Sequence, residues 1–185
     1  MKTARFVPLA TVGLLVTSCL IKSIHPWYDG NTTIFESSLL GKWINREEGI
    51  SMNFIQKGDV SYEVEYVDSG DTSQFMVHLT TIKNGTYLDY EPVAETAEDF
   101  SGELVLRLHS LMKIEMTENA LVIRPVNYDR MKTKARAGEL EGVRYQFIDD
   151  DLILTSSTPV LRKFVGEHGH ETEFFDEPLR LSLQQ

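Results

Sequence analysis

Five side chains between Glu167 and Glu173 have the composition of a metal site: His168 and His170, flanked by Glu167, Glu171 and Glu173. Zinc needs about four ligands converging from rigid elements, and one His-Gly-His turn supplies two at most. The stretch is therefore expected to be a solvated loop, and no metal is expected. Asp149-Asp150-Asp151 lacks the spaced oxygens and the glycine of a calcium loop and reads as a hairpin turn. The acidic run Glu91, Glu95, Glu98, Asp99 and Glu103 could offer paired carboxylates, but no strand framework fixes their separation, so a charged loop is expected. Ser157 stands in no Gly-x-Ser-x-Gly elbow, and the chain has neither a Gly-rich phosphate loop nor a dinucleotide fingerprint. No catalytic residue, cofactor or enzymatic activity is expected. His78 and His109 fall on the polar faces of separate strands and meet only if strand register brings them together. The cluster Arg130, Lys132, Lys134 and Arg136 reverses the local sign of an acidic chain. It could hold an anionic group, although Glu139 and Glu141 nearby favour an ordinary solvated helix face.

Bulk composition narrows the functional classes. The 185 residues carry 28 acidic against 18 basic side chains, a net charge of −10, with 42% hydrophobic and 10% aromatic residues. That is the composition of one folded domain rather than a disordered chain. The charge argues against a nucleic-acid partner, which requires a basic face. One cysteine, Cys19, excludes an internal disulfide and a cysteine-based zinc site.

The surroundings of Cys19 are more informative. Lys2 and Arg5 are followed by the mostly apolar run from Phe6 to Val16. At ~1.5 Å rise per residue this covers about half of a ~30 Å hydrocarbon core, too little to span it. A positive head, a short apolar stretch and small residues form an export-signal pattern. Val16-Thr17-Ser18-Cys19 resembles the lipobox of bacterial envelope lipoproteins. That resemblance implies cleavage before Cys19, lipidation of its thiol and membrane attachment through the lipid. Leu20, in place of an aspartate, implies sorting to the outer membrane, facing the periplasm. Loss of residues 1–18 would remove two basic side chains, leaving 16 against 28 acidic ones and a charge of −12. The expected organisation is a signal over 1–18, a tether over 19–38 without sustained periodicity, and one domain over 39–185.

Within that domain period two dominates, as in half-buried strands. Val60, Tyr62, Val64 and Tyr66 alternate with polar residues, as do Phe75, Val77 and Leu79. Leu104, Leu106 and Leu108 continue the theme, followed by Met112, Ile114 and Met116, then Val143, Tyr145 and Phe147, and finally Leu179, Leu181 and Leu183. Turn-forming sequences separate the runs at Lys57-Gly58-Asp59, Asp68-Ser69-Gly70-Asp71, Lys83-Asn84-Gly85, Glu118-Asn119 and Asp149-Asp150-Asp151. Asn127 to Gly138 breaks the alternation and reads as a helix ended by glycine. Ser157-Thr158-Pro159 opens a second helix running to about His168. About ten short strands in hairpin order with two short helices predict a mainly β fold, an antiparallel up-and-down barrel.

Leu40-Gly41-Lys42-Trp43 at the head of this meander resembles the G-x-W element of lipocalins and related calycin barrels. The resemblance implies that Trp43 closes the barrel base beside Gly41, with Arg180 of the last strand packed across it. The second lipocalin element, Thr-Asp-Tyr, is represented only by Leu88-Asp89-Tyr90. Inward positions Tyr62, Tyr66, Phe75, Met112, Met116 and Phe147 are expected to line the interior. Two functions follow. One is a binding module holding a hydrophobic or amphiphilic small molecule. The other is a structural or assembly lipoprotein, its barrel filled by these side chains, acting through surface contacts with a protein partner that the sequence does not identify.

Overall fold

A computed structural model of the chain describes residues 20–93 and 107–184. Cys19, the lipobox and residues 1–18 lie outside the described residues, as do Glu95, Glu98, Asp99, Glu103, Leu104 and Leu106. Among the described residues there are twelve strands and two α-helices. Two short strands come first, β1 (Lys22–Ser23) and β2 (Thr33–Ile34). The meander follows: β3 (Gly41–Asn45), β4 (Ile50–Gln56), β5 (Ser61–Asp68), β6 (Asp71–Ile82), β7 (Gly85–Pro92), β8 (Ser110–Met116) and β9 (Ala120–Pro125). Helix α1 (Tyr128–Ala137), strands β10 (Tyr145–Ile148) and β11 (Asp151–Leu154), helix α2 (Thr158–His168) and strand β12 (Leu179–Leu183) complete the order.

Strands β3 to β9 pair antiparallel with their sequence neighbours, and β12 pairs with both β9 and β3. The sheet therefore closes into an eight-stranded antiparallel barrel, lipocalin-like in general shape, which leaves its strands without open edges. β2 continues the β5 side of the long strand β6, pairing Ile34 with Leu79. Hairpin chemistry sets the registers. Asp149 and Asp150 both adopt positive φ between the paired residues Ile148 and Asp151, so the first two residues of the acidic triplet form a two-residue hairpin turn.

Two hydrophobic cores lie on either side of the barrel wall. The inner one contains Trp43, Phe54, Tyr62, Val64, Val77, Leu79, Leu88 and Ile123. The outer one is built on Ile82, Tyr87 and Leu111 of the wall, and is covered by α1, α2, β11 and the segment around Ile21 and Trp27. Helix α1 offers Tyr128, Met131 and Ala135 to this core at helical spacing. The side chain of Asn127 caps its first turn by accepting from the Arg130 N–H at 2.8 Å, and Gly138 ends it at φ 73°, where a Cβ would be strained. Helix α2 starts with Pro159 in its first turn, but Ser157 makes no side-chain cap. Thr158 instead donates to the Pro26 carbonyl at 2.7 Å.

That bond is one of several fixing residues 20–38, which the sequence presents as a tether. β1 pairs parallel with β11, and Ile21 and Trp27 are buried. Arg162 of α2 donates to the Trp27 and Thr81 carbonyls, both at 2.8 Å. From Ile21 to Trp27 the segment is a strap across the outside of the barrel, anchored by a few large side chains rather than by a repeating pattern, while Leu20 and Phe35 pack against the inner core.

Candidate functional site

The strands are inward-facing at alternate positions, and the two ends of the barrel are filled differently. At one end Leu39, Trp43, Phe54, Tyr62 and Leu79 pack into a closed base. The Trp43 indole N–H donates to the Leu39 carbonyl at 2.8 Å. The Tyr62 hydroxyl is tied to the Glu36 backbone, accepting from its N–H at 2.7 Å. At the other end, reached by the β3–β4 turn and by Asp176 to Pro178, the barrel is hollow. A cavity of about 340 Å³ is lined by Met52, Val64, Val77, Leu88, Ile123 and Leu179 together with Tyr66, Phe75, Tyr90 and Met112. Phe75 meets Tyr90 edge to face at 5.4 Å and Tyr66 at 6.4 Å, an aromatic corner in the wall.

Two polar features interrupt this apolar lining. Tyr90 is 7% exposed, its hydroxyl buried in the wall, and Ser110 stands opposite it in register. Burial holds its pKa above the ordinary phenol value. The rim carries Glu48, Asp176 and Glu177, with Leu20 and Ser73 beside them. Burial, then the nearby Asp129 and Glu177, raise the Asp176 pKa above the usual carboxylate range. Tyr66 shifts upward through burial and then Asp68, whose carboxylate accepts from its hydroxyl at 3.3 Å.

The sequence-predicted residues separate clearly. Tyr66, Phe75 and Met112 line the cavity. Tyr62 belongs to the closed base, and Met116 packs against the inner core without lining the hollow. Phe147 lies outside the barrel altogether: it is on β10, in a separate three-stranded sheet, and is 39% exposed. Gly41 opens β3 at φ 112°, where an added Cβ would also meet Leu183 at 3.4 Å, and Trp43 is wholly buried. Arg180 does not pack across Trp43. Leu181 points inward, so its neighbour Arg180 points out, exposed in an outer groove with Arg46 and Glu47.

The basic cluster is largely neutralised on its own surface. Arg130 pairs with Glu173 and Glu171, and Lys132 and Arg136 both pair with Asp150 of the β10–β11 turn. Near α2, His168 Nδ1 is 2.7 Å from Glu171. Among the described residues no group of His, Cys, Asp or Glu is arranged to hold a metal ion.

A second polar cluster, not legible in the sequence, lies on the outer wall beneath the strap. Asp89 is 1% exposed and accepts from two donors, the Trp27 backbone N–H at 2.5 Å and His109 Nδ1 at 2.8 Å. An ionised carboxylate only accepts, so Nδ1 carries the proton. His109 Nε2 lies 3.6 Å from Glu91, which sits in β7 rather than in a loop. His78 is opposite Asp89 in register, and Tyr28 stacks on its ring at 4.0 Å. Pairing between β6 and β7 and the strap bridge at Ser23 and His109 bring these groups together. No local pattern encodes either contact. Burial pulls the His109 pKa down, but the Asp89 hydrogen bond and the charges of Asp89 and Glu91 outweigh it, leaving a net rise. Burial dominates at His78, whose pKa is lowered. The cluster fastens the strap to the barrel. No protein-family model, curated protein or solved structure matches the chain.

Proposed function

We propose that the chain is a lipid-anchored envelope protein whose barrel binds an apolar or amphiphilic small molecule, acting as a binding module rather than an enzyme. The observation that carries the binding reading is the hollow end of the barrel. Its volume of about 340 Å³ falls at the small end of the ~300–1,000 Å³ range of small-molecule sites. An eight-stranded barrel is just wide enough to be filled by its own side chains or to hold one small ligand; here the base is closed, while the end lined by Tyr66, Phe75, Tyr90 and Met112 stays hollow. The alternative, a filled barrel working through its surface, draws on that packed base and on exposed Phe147 and Ile148 of the edge strand β10. The cavity favours binding.

Attachment rests on the lipobox-like run ending at Cys19, with the outer membrane, facing the periplasm, as the proposed location. Two or three acyl chains hold a protein stably where one does not. Leu20 lines the cavity mouth, so lipid on the preceding residue would hold that mouth beside the bilayer, where amphiphiles accumulate. Cys19→Ser should move the protein into the soluble fraction; continued membrane association would refute the anchor.

Met112→Trp tests the cavity. The added ring enters the hollow from a half-buried inward position. Native mass spectrometry of protein extracted from its own membrane should find a small molecule on the wild type and none on the variant. Wild type that arrives empty, and takes up no decyl-chain amphiphile afterwards, would overturn the binding reading.

A further inference from the structure

We infer that the cavity is built for a cationic amphiphile, its apolar body inside the barrel and an ammonium-type head at the Glu48, Asp176 and Glu177 rim. The inference deepens the binding reading and rests on it. The lining of the hollow contains three carboxylates and no Lys, Arg or His. None of the three carboxylates has an ion-pair partner among the described residues, whereas Asp89, Asp150, Asp151, Glu171 and Glu173 all do. Arg46 and Arg180 line the adjoining outer groove, which shares Glu48 with the rim, and neither forms an ion pair with it. Negative charge gathered at the edge of an apolar hollow attracts a cationic head and opposes an anionic one, most strongly where water is partly excluded.

The hollow itself is the independent sign of a ligand: about 340 Å³ stays unfilled behind the rim although Tyr66, Phe75, Tyr90 and Met112 all line it.

The test compares three probes of equal chain length, decylammonium, decanoate and decan-1-ol, by titration calorimetry at neutral pH and low salt. Decylammonium should bind about tenfold tighter than decan-1-ol, as three partly exposed charge pairs together would give, and decanoate should bind weakest. In the triple variant Glu48→Gln, Asp176→Asn, Glu177→Gln the ammonium-to-alcohol affinity ratio should fall to about one. Equal binding of the cation and the alcohol to the wild type, or tightest binding of decanoate, would overturn the cationic class while leaving the cavity a binding site. Failure of all three probes to bind would remove the binding reading, and this inference with it. Circular dichroism of each variant separates lost binding from lost fold.

Discussion

Trp43→Ala is expected to destabilise the barrel by about 3–5 kcal/mol, the range for removing a fully buried aromatic and leaving a cavity. The indole is wholly buried in the closed base, opposite Met52 on one neighbouring strand and Leu183 on the other. It therefore joins the strands on either side of β3 as well as filling space. Urea unfolding followed by circular dichroism should show a lower midpoint with an unchanged slope, since the loss is in the native state. The conservative variant isolates the hydrogen bond. Trp43→Phe deprives the Leu39 carbonyl of its donor and should cost roughly 1–3 kcal/mol. Trp27 provides the contrast: it is equally buried, in the outer core, but its indole N–H has no partner among the described residues. Trp27→Phe removes a donor that satisfies nothing, so it should cost less than Trp43→Phe. A larger loss at Trp27 would mean that the strap, rather than the base, limits the stability of the barrel.

The contrast between the two tryptophans also shows what alternation can and cannot reveal. Period two is legible in β5, in β12, from Phe75 to Leu79 of β6 and from Met112 to Met116 of β8, where one face meets the inner core and the other meets solvent or half-buried surface, so apolar and polar residues alternate. In β7 it is not. Its outward residues Tyr87 and Asp89 are buried beneath the strap and helices while Leu88 and Tyr90 are buried inside, which erases the alternation. The strap has no periodic signal for a related reason: Ile21 and Trp27 anchor it singly, and a two-residue strand has no period. Phe147 shows a different limit. Period two identifies residues that share a face of a strand, but not the sheet to which the strand belongs. For Arg180 the G-x-W resemblance names only an arginine near the end of the chain, whereas the parity of β12 directs that side chain outward. Of the candidate site, the aromatic wall could be read from pattern. The acidic rim could not, because Glu48 comes from a turn and Asp176 and Glu177 from an irregular segment distant in sequence, which only barrel closure brings together.

Asp89→Asn is expected to cost about 3 kcal/mol, although it changes no volume, because it removes the carboxylate from a buried pair with His109. The Trp27 N–H and His109 Nδ1–H both point at the carboxylate, one to each oxygen. An amide offers one acceptor and one donor, so with its oxygen on the Trp27 N–H its NH2 faces Nδ1, and His109 is confined to the neutral tautomer protonated at Nε2. The same variant should alter the response to pH. His109 has a folded pKa above its unfolded value of ~6.5, so its contribution is fully present below that value and is lost as pH rises through the folded one. His78 is shifted the opposite way: its contribution is present above ~6.5 and is lost as pH falls through its lowered folded value. Together the two histidines should produce a stability maximum near neutrality. Unfolding free energies measured from about pH 5 to 9, a range in which histidine is the main titrating side chain, would resolve the two limbs. His109→Gln should flatten the alkaline limb and His78→Gln the acid limb, while Asp89→Asn should weaken the alkaline limb by removing the carboxylate that raises the His109 pKa. An alkaline limb that persists in His109→Gln would show that some other group controls it, and that the Asp89–His109 pair does not fasten the strap in a pH-dependent way.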